Sequence, residues 1–299
     1  MTMRKLARKV YGAIPFKQPA FELLRGWVQV PEPVYRHLHF HGVIDVPVGD
    51  GAFRMHHHGT QIENELFWSG LFGRWEGESL RVWVRAARSA RAILDVGANA
   101  GLYTLCAKAV SPHAAVAALE PVERIRAKLA ANVALNRMDV SIVPAAASDR
   151  DGTGALLDTG AEHELSATLD PTARVLAGKE AHPVEVALVR LDTLVARGAI
   201  PPPDLVKIDV EGHEPAVLRG MGSLLERRPV LLVEVLTEAA AADVDALTRH
   251  FGYQVYIIDA GGPRRLERPT AAPGGNLLFC TAEAARALLL PERETAPPA

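Results

Sequence analysis

The sequence predicts an α/β fold, an open and mostly parallel sheet with helices on both faces. Three observations carry this. Short apolar runs alternate with helix-length amphipathic segments from residue 80 to about 285. The run Ile93-Leu94-Asp95-Val96 enters a glycine-bearing turn, Gly97 to Gly101, and then a helix over about Leu102 to Val110. A second apolar run, Ala114 to Leu119, ends in Glu120 and Pro121. Strand, glycine loop and helix in that order hold a nucleotide-like ligand at the carboxyl end of a parallel sheet.

The spacing within the loop narrows the ligand. Gly97 and Gly101 stand four apart with Ala98, Asn99 and Ala100 between them, so the dinucleotide pattern Gly-x-Gly-x-x-Gly is absent. In that pattern the middle glycine admits a pyrophosphate; Asn99 carries a side chain there. The glycines let the backbone approach a ligand, and the helix that follows is expected to offer unpaired N–H groups. Glu120, at the tip of the second strand, is placed to accept two ribose hydroxyls. Asp95 adds a second negative group. A ligand with a ribose, an amino acid portion and a positive centre suits this set, and S-adenosylmethionine has all three.

The elements before the loop read in order. Residues 1 to about 35 carry basic charge and prolines, and suggest an arm with a helix over Phe21 to Val28. Its charge run reads as a solvated face, with a membrane-surface or partner contact as the alternative. From Tyr35 to Arg54 apolar residues recur at even positions (Leu38, Phe40, Ile44, Val46, Val48), a β-rich lead-in in which Pro47 favours an edge strand. Of the run His56-His57-His58, only His56 and His58 share a strand face, and no further ligand stands at a metal spacing; no metal site is expected. Asn64, Glu65 and Trp68 lie within one helical turn. They either close the cofactor or acceptor pocket or pack a helix on the sheet edge. Leu80 to Ala90 is an amphipathic helix.

After Pro121 a helix runs from Glu123 to Asn136, with Ile125, Leu129 and Val133 on one stripe. Val140 to Ala146 is a third strand, and Ser148 or Asp149 beyond it is a candidate contact to an adenine amino group. The same residues also open a good turn. Residues 153 to 187 break the alternation as an insertion of short antiparallel strands: Gly154 to Asp158, Ala167 to Asp170 and Val184 to Val189. A short helix starts at Arg190.

Leu205 to Asp209 is the fourth strand, and Lys207, Asp209, Glu211, His213 and Glu214 crowd its end. Lys207 and Asp209 share a strand face, and a buried lysine there requires a carboxylate partner. Asp209, Glu211 and His213 are candidates to remove a proton from an acceptor; catalysis by positioning alone stays open. The fifth strand, Val230 to Val235, bears Glu234 in an apolar run, which marks that acid for a pocket. An alanine-rich helix (Ala239 to Phe251) and two strands (Tyr253 to Ile258, Asn276 to Cys280) joined by a loop at 260 to 275 complete the sheet, and a proline-rich tail beyond about Leu290 is expected to be disordered.

Composition removes several classes. With 33 basic and 35 acidic residues, no net field points to nucleic acid. Cys106 and Cys280 make no metal spacing and read as buried thiols of a reducing compartment. The basic start lacks an uninterrupted apolar core and no stretch is long enough to span a bilayer, so a cytoplasmic location is expected.

Four blocks together resemble a known family. Asp95-Val-Gly-Ala-Asn-Ala-Gly-Leu-Tyr103-Thr104, Glu120-Pro121, Asn132-Val-Ala-Leu-Asn136 and Lys207-Ile-Asp-Val-Glu-Gly-His-Glu214 look like the FkbM-type class I methyltransferases. The lead-in Ile62 to Trp68 with Trp75-Glu76 is similar too, and the likeness runs from about residue 35 to 280. It implies a Rossmann-like fold with a seven-stranded, mostly parallel sheet and an N-terminal cap. It also implies methyl transfer from S-adenosylmethionine, commonly to a hydroxyl of a sugar or secondary metabolite. On this reading residues 1–79 are arm and cap, 80–285 the cofactor-binding domain with the insertion at 153–187, and 286–299 a tail. The cofactor contacts are Asp95, Gly97, Ala98, Asn99, Gly101, Tyr103, Glu120, Pro121, Ser148 and Asp149; Asn64, Glu65, Trp68, Lys207 and Glu234 belong to the acceptor pocket. Two rivals are a nucleotide-cofactor oxidoreductase on a similar fold and a domain that binds the cofactor without catalysis.

Overall fold

In the computed structural model, which describes residues 16–73, 76–160, 167–170, 180–272 and 274–291, the chain opens with two helices, α1 (Lys17–Trp27) and α2 (Glu32–Tyr35). The period-two lead-in therefore starts later than its sequence suggests. Tyr35 ends a helix that Pro33 begins in its first turn, a position where a missing N–H costs nothing. The hairpin itself pairs β1 (Gly42–Val48) with β2 (Gly51–His57), Pro47 lying opposite Ala52 in this two-stranded sheet. Helices α3 (Gln61–Ser69) and α4 (Gly77–Ala87) follow. A capping box closes the start of α3: Thr60 accepts from the N3 backbone while Glu63 reaches back to the Thr60 N–H.

The central sheet builds on β3 (Ala92–Val96), whose five residues are all buried. Helix α5 (Leu102–Val110), β4 (Ala115–Leu119), α6 (Glu123–Leu135) and β5 (Ser141–Val143) extend it on one side. The third expected strand divides, its end forming β6 (Ala146–Ala147) in a second sheet with β7 (Gly152–Asp158), β8 (Ala167–Thr168) and β9 (His182–Val189). The strands expected at 154–158, 167–170 and 184–189 correspond to β7, β8 and β9 of this sheet. Helix α7 (Leu191–Ala196) then leads to β10 (Leu205–Ile208), α8 (Glu214–Met221), β11 (Val230–Val233), α9 (Glu238–Thr248), β12 (Gln254–Asp259), β13 (Gly262–Leu266), β14 (Asn276–Cys280) and α10 (Ala282–Ala287).

The strand order is β13-β12-β14-β11-β10-β3-β4-β5. Five strands, β11, β10, β3, β4 and β5, run parallel; β14 is antiparallel to β11 and to β12. The seven expected strands are present. An eighth, β13, lies within the expected loop at 260 to 275, because Gly262 at φ +85° turns the chain back on β12. The chain leaves β3 toward β4 on one side and returns as β10 on the other, so the order reverses between β3 and β10. In an open α/β sheet ligands bind at that switch point, outside the carboxyl ends.

Alternate residues of the parallel strands enter two cores. Ile93, Leu205 and Leu232 join the hairpin residues Ile44, Val46, Phe53 and Met55, with Leu105, Cys106 and Cys280. Leu94, Val206 and Leu231 face Val217, Leu218 and Val244 of α8 and α9. The lead-in hairpin therefore shares one core with the central sheet. The chain's end does too: Leu288 and Leu290 are buried in that cluster, so the packed region extends past residue 286, while 292–299 lie outside the described residues.

The Asn132 and Asn136 pair has a clear mechanical role. One turn apart on α6, they meet the free edge of β2. Asn136 accepts from Arg54 N and donates to Arg54 O, both at 2.7 Å. Asn132 accepts from His56 N and donates to Ala100 O in the glycine loop, both at 2.9 Å. Asn132 is fully buried, so Asn132→Ala would orphan two backbone groups and lower stability by about 2–4 kcal/mol. The more exposed Asn136→Ala should lose about 1 kcal/mol, a contrast measurable by urea denaturation.

Candidate active site

A cavity of about 460 Å³ opens at the switch point. Its floor is the loop after β3, and its far wall is the loop after β10. The two meet at Gly97, where φ is +78° and a Cβ would come within 1.8 Å of the Asp209 carbonyl oxygen. Only glycine fits that approach. Asn99 also takes the left-handed conformation (φ +52°), which asparagine tolerates better than most residues.

The loop's N–H groups have acceptors within the protein. Gly97 and Ala98 donate to Leu119 O, and Gly101 donates to Ala98 O. Asn99 N donates to Glu120 Oε2 at 3.1 Å, and Ala100 N to the Asn99 side chain at 2.7 Å. The loop's own donors from Gly97 to Gly101 are thus spent within the protein. A phosphate cradle needs such donors free, so the loop is a wall and spacer, in keeping with a ligand that lacks phosphates.

Two acids beside the loop are held in place. Glu120 accepts from Asn99 N and, at 3.0 Å, from Val122 N; burial pushes its pKa up to about 7 against the pull of those bonds. Asp95 accepts from the Thr104 hydroxyl at 2.6 Å, and burial raises its pKa to about 6. Both line the cavity, as do Ala98, Tyr103 and Pro121.

At the opposite end charge is concentrated. Lys207 is 1% exposed, and its ammonium donates to Asp209 Oδ2 and Asn276 Oδ1, each at 3.1 Å. It also lies 5.1 Å from the centre of the Tyr103 ring, within cation–π range. Burial opposes its charge, but Asp209, Glu76 and Glu234 together outweigh burial and hold its pKa above the ordinary lysine value. Oxygens of Glu76, Asp209 and Glu234 lie within 4.8 Å of one another, among the described residues the one grouping with the spacing of a cation site. Lys207 already supplies positive charge there. Burial, with Asp209 adding to it, pushes Glu234 far above the usual carboxylate range, so it is protonated near neutrality. Glu76 is raised by burial and accepts from Tyr103 Oη at 2.5 Å.

The loop after β10 is braced from below. Glu214 is fully buried and accepts from Val210 N and Gly212 N at 3.1 and 3.0 Å; burial raises its pKa to about 7. Glu211 sits in the left-handed region (φ +54°), and its carbonyl accepts from the Thr168 hydroxyl at 2.8 Å. His213 shares a 3.0 Å hydrogen bond with Ser148 Oγ, and burial lowers its pKa.

Among the residues singled out from sequence, Asp95, Gly97, Ala98, Asn99, Tyr103, Glu120, Pro121, Lys207, Asp209, Glu211, His213 and Glu234 line this cavity. Gly101 lies behind it, against Leu129. Ser148 and Asp149 stand outside the lining; Ser148 meets His213 and Asp149 pairs with Arg219 at 3.4 Å, leaving Ala145, Ala146 and Ala147 as the wall. Asn64, Glu65 and Trp68 do share a face, but it is turned to the N-terminal segment. Asn64 donates to Tyr35 O, Tyr35 Oη donates to Glu65 at 2.6 Å, and Trp68 stacks on Tyr35. The start of α3 approaches the cavity instead, through Thr60, Gln61 and Ile62. His56 and His58 have ring centres 5.8 Å apart. Asn276 and Thr168 escaped the sequence reading. A lone asparagine opening an apolar strand was the signal for the first; the second had none.

Residues 95–255 match the methyltransferase FkbM domain, and the chain belongs to that family of S-adenosylmethionine-dependent methyltransferases. The hexuronic acid methyltransferase AglP of Haloferax volcanii is 27% identical over 181 residues, 58% of this chain and 68% of that protein. The 31-O-demethyl-FK506 methyltransferase FkbM of Streptomyces tacrolimicus is 31% identical over 191 residues, 54% of this chain and 72% of that one. A crystal structure of an FkbM methyltransferase from Methylobacillus flagellatus KT aligns at 16% identity and a TM-score of 0.38, covering 63% of this chain and 43% of that chain. The fold assignment stands on the strand order, to which a score of that size adds nothing. The oxidoreductase alternative falls away. No helix among the described residues is long and apolar enough to cross a membrane.

The raised acids set a pH dependence. Glu214 holds its proton more tightly folded (about 7) than unfolded (about 4.3), so stability is lost as pH rises from the lower value through the upper one. The full effect is on the order of 3 kcal/mol. Gln at this position keeps one acceptor oxygen and cannot ionise. Melting temperatures between pH 5 and 8 should fall for the native protein and fall less for Glu214→Gln.

Proposed function

We propose that the protein methylates a hydroxyl oxygen on a sugar or other small metabolite, with S-adenosylmethionine as donor. One observation carries this: the glycine loop with Glu120 and the carboxylates around Lys207 open into the same cavity. The names of the two curated relatives, one acting on a hexuronic acid and one on an O-demethyl metabolite, support a hydroxyl-bearing acceptor.

The residues present fit the donor. Glu120 accepts ribose hydroxyls from its strand tip, and its raised pKa drops once those donors arrive. The small Ala146 and Ala147 leave room for a flat ring, with Ser148 and Asp149 behind that wall. Asp95, Gly97 and Tyr103 bound the portion nearest the acidic end. Bound there, the donor supplies a methyl group on a positively charged sulfur.

The chain's own task is to align an acceptor oxygen, exclude water and take up the hydroxyl proton. Asp209 is the assigned base, because it faces the cavity and its Lys207 contact fixes the carboxylate. Protonated Glu234 donates to the acceptor; one of its buried oxygens lacks a hydrogen-bond partner in the protein. His213 is tied to Ser148 and positions the loop, and Glu211 lines the acceptor side.

Glu120→Gln should keep the fold and weaken S-adenosylhomocysteine binding about 10- to 100-fold by calorimetry, the loss of one charge-assisted hydrogen bond. A folded native protein that fails to bind would overturn the reading. Asp209→Asn should lower kcat about 10²- to 10⁴-fold in a methyl-release assay, with S-adenosylhomocysteine affinity nearly unchanged. Unaltered turnover would remove Asp209 as base and leave catalysis by positioning.

A further inference from the structure

The second sheet is fastened to two opposite walls of the cavity. On the Glu120 side, Asp158 at the end of β7 forms a two-bond ion pair with Arg124 in the first turn of α6, Nε to Oδ2 at 3.0 Å. Leu156 and Leu169 line the cavity there and pack with Val122, Ile125 and Ala146 in a small core. On the other side, Thr168 reaches the loop after β10. It is 1% exposed; its hydroxyl donates to Glu211 O at 2.8 Å and accepts from Asp170 N at 2.9 Å. The second bond fixes the direction of the first.

The conformation held by that bond is one the chain would not choose alone. Glu211, which lines the cavity, stands in the left-handed region at φ +54°. A glutamate is strained there and keeps that conformation only where its surroundings over-determine it. Glu214 takes Val210 N and Gly212 N from below, and Thr168 takes the carbonyl of Glu211 between them. Glu214 belongs to the helix that this loop starts, whereas Thr168 comes from another sheet, 43 residues away in sequence. Asp209 has anchors of its own, since its N–H donates to Val96 O and its carboxylate meets Lys207. The Thr168 bond therefore bears on Glu211 and not on Asp209.

We infer that Thr168 is a positioning residue for the acceptor side of the site: its hydroxyl holds the Glu211 peptide, and with it the acid that faces the cavity. The second sheet thereby becomes part of the acceptor machinery. The link to the acceptor rests on the hydroxyl-methylation reading; the hold on the loop rests on geometry alone.

The test compares the native full chain with Thr168→Val, which keeps the shape and loses the hydroxyl, and with Thr168→Ser, which keeps the hydroxyl. Hydrogen exchange of residues 209–213 reads the loop, calorimetry with S-adenosylhomocysteine reads the donor end, and methyl release to a panel of methyl glycosides reads the acceptor. Thr168→Val should exchange about tenfold faster at Val210 and Gly212, the loss of one buried hydrogen bond. It should raise the acceptor KM about tenfold or more, with kcat changed less and S-adenosylhomocysteine affinity kept within about twofold. Thr168→Ser should restore both exchange and KM. If the valine variant does not fold, Thr168→Cys, a weak donor of similar size, reads the same quantities. Native exchange in the variant lacking the hydroxyl would overturn the inference. So would faster exchange with an unchanged acceptor KM, because the bond would then serve stability alone. A native protein that binds S-adenosylhomocysteine but methylates no glycoside would instead count against the hydroxyl-methylation reading, and the exchange comparison would still decide whether Thr168 holds the loop.

Discussion

The buried ammonium of Lys207 is the constraint on which the site depends. A full charge removed from water is tolerated only with close partners, and here the partners are the features that give the site its character. Asp209 follows on the same strand, Asn276 opens the antiparallel strand β14, and Tyr103 comes from the helix after the glycine loop. Glu76 and Glu234 complete the charge balance. Strands β3, β10, β11 and β14 must therefore keep their order and register for one cation to be satisfied. Gly97 belongs to the same logic, since its missing Cβ lets the first loop close against Asp209.

The two ends of the cavity solve different problems. At the glycine loop every backbone donor from Gly97 to Gly101 is spent internally, and the carboxylates of Asp95 and Glu120 line the cavity beside it. At the acidic end three acids crowd one ammonium, and burial, with Asp209 adding to it, raises the Glu234 pKa far above the usual carboxylate range.

How much was legible in the sequence follows from how local each feature is. The strands, the glycine loop and the acids at their tips are written in short-range pattern, and nearly all appear where expected. Lys207 with Asp209 was readable because period two puts them on one face. The convergence of Glu76, Asn276 and Glu234 was not, since it depends on strand order across 200 residues of chain. Asn64, Glu65 and Trp68 show the limit clearly: their shared face was deducible, but which neighbour it meets was decided by Tyr35. Strand β13 was hidden by Pro263 and two arginines, residues uncommon in a central strand but tolerated at a sheet's outer edge.

The pair of asparagines on α6 has a consequence for solubility. A two-stranded hairpin ordinarily leaves unpaired backbone groups along both margins, a template on which another chain can add a strand. Here the amides of Asn132 and Asn136 occupy the groups of Arg54 and His56 in the manner of a third strand. Two side chains from a helix thereby close one margin of the hairpin to templated aggregation, without the protein having to build another strand there.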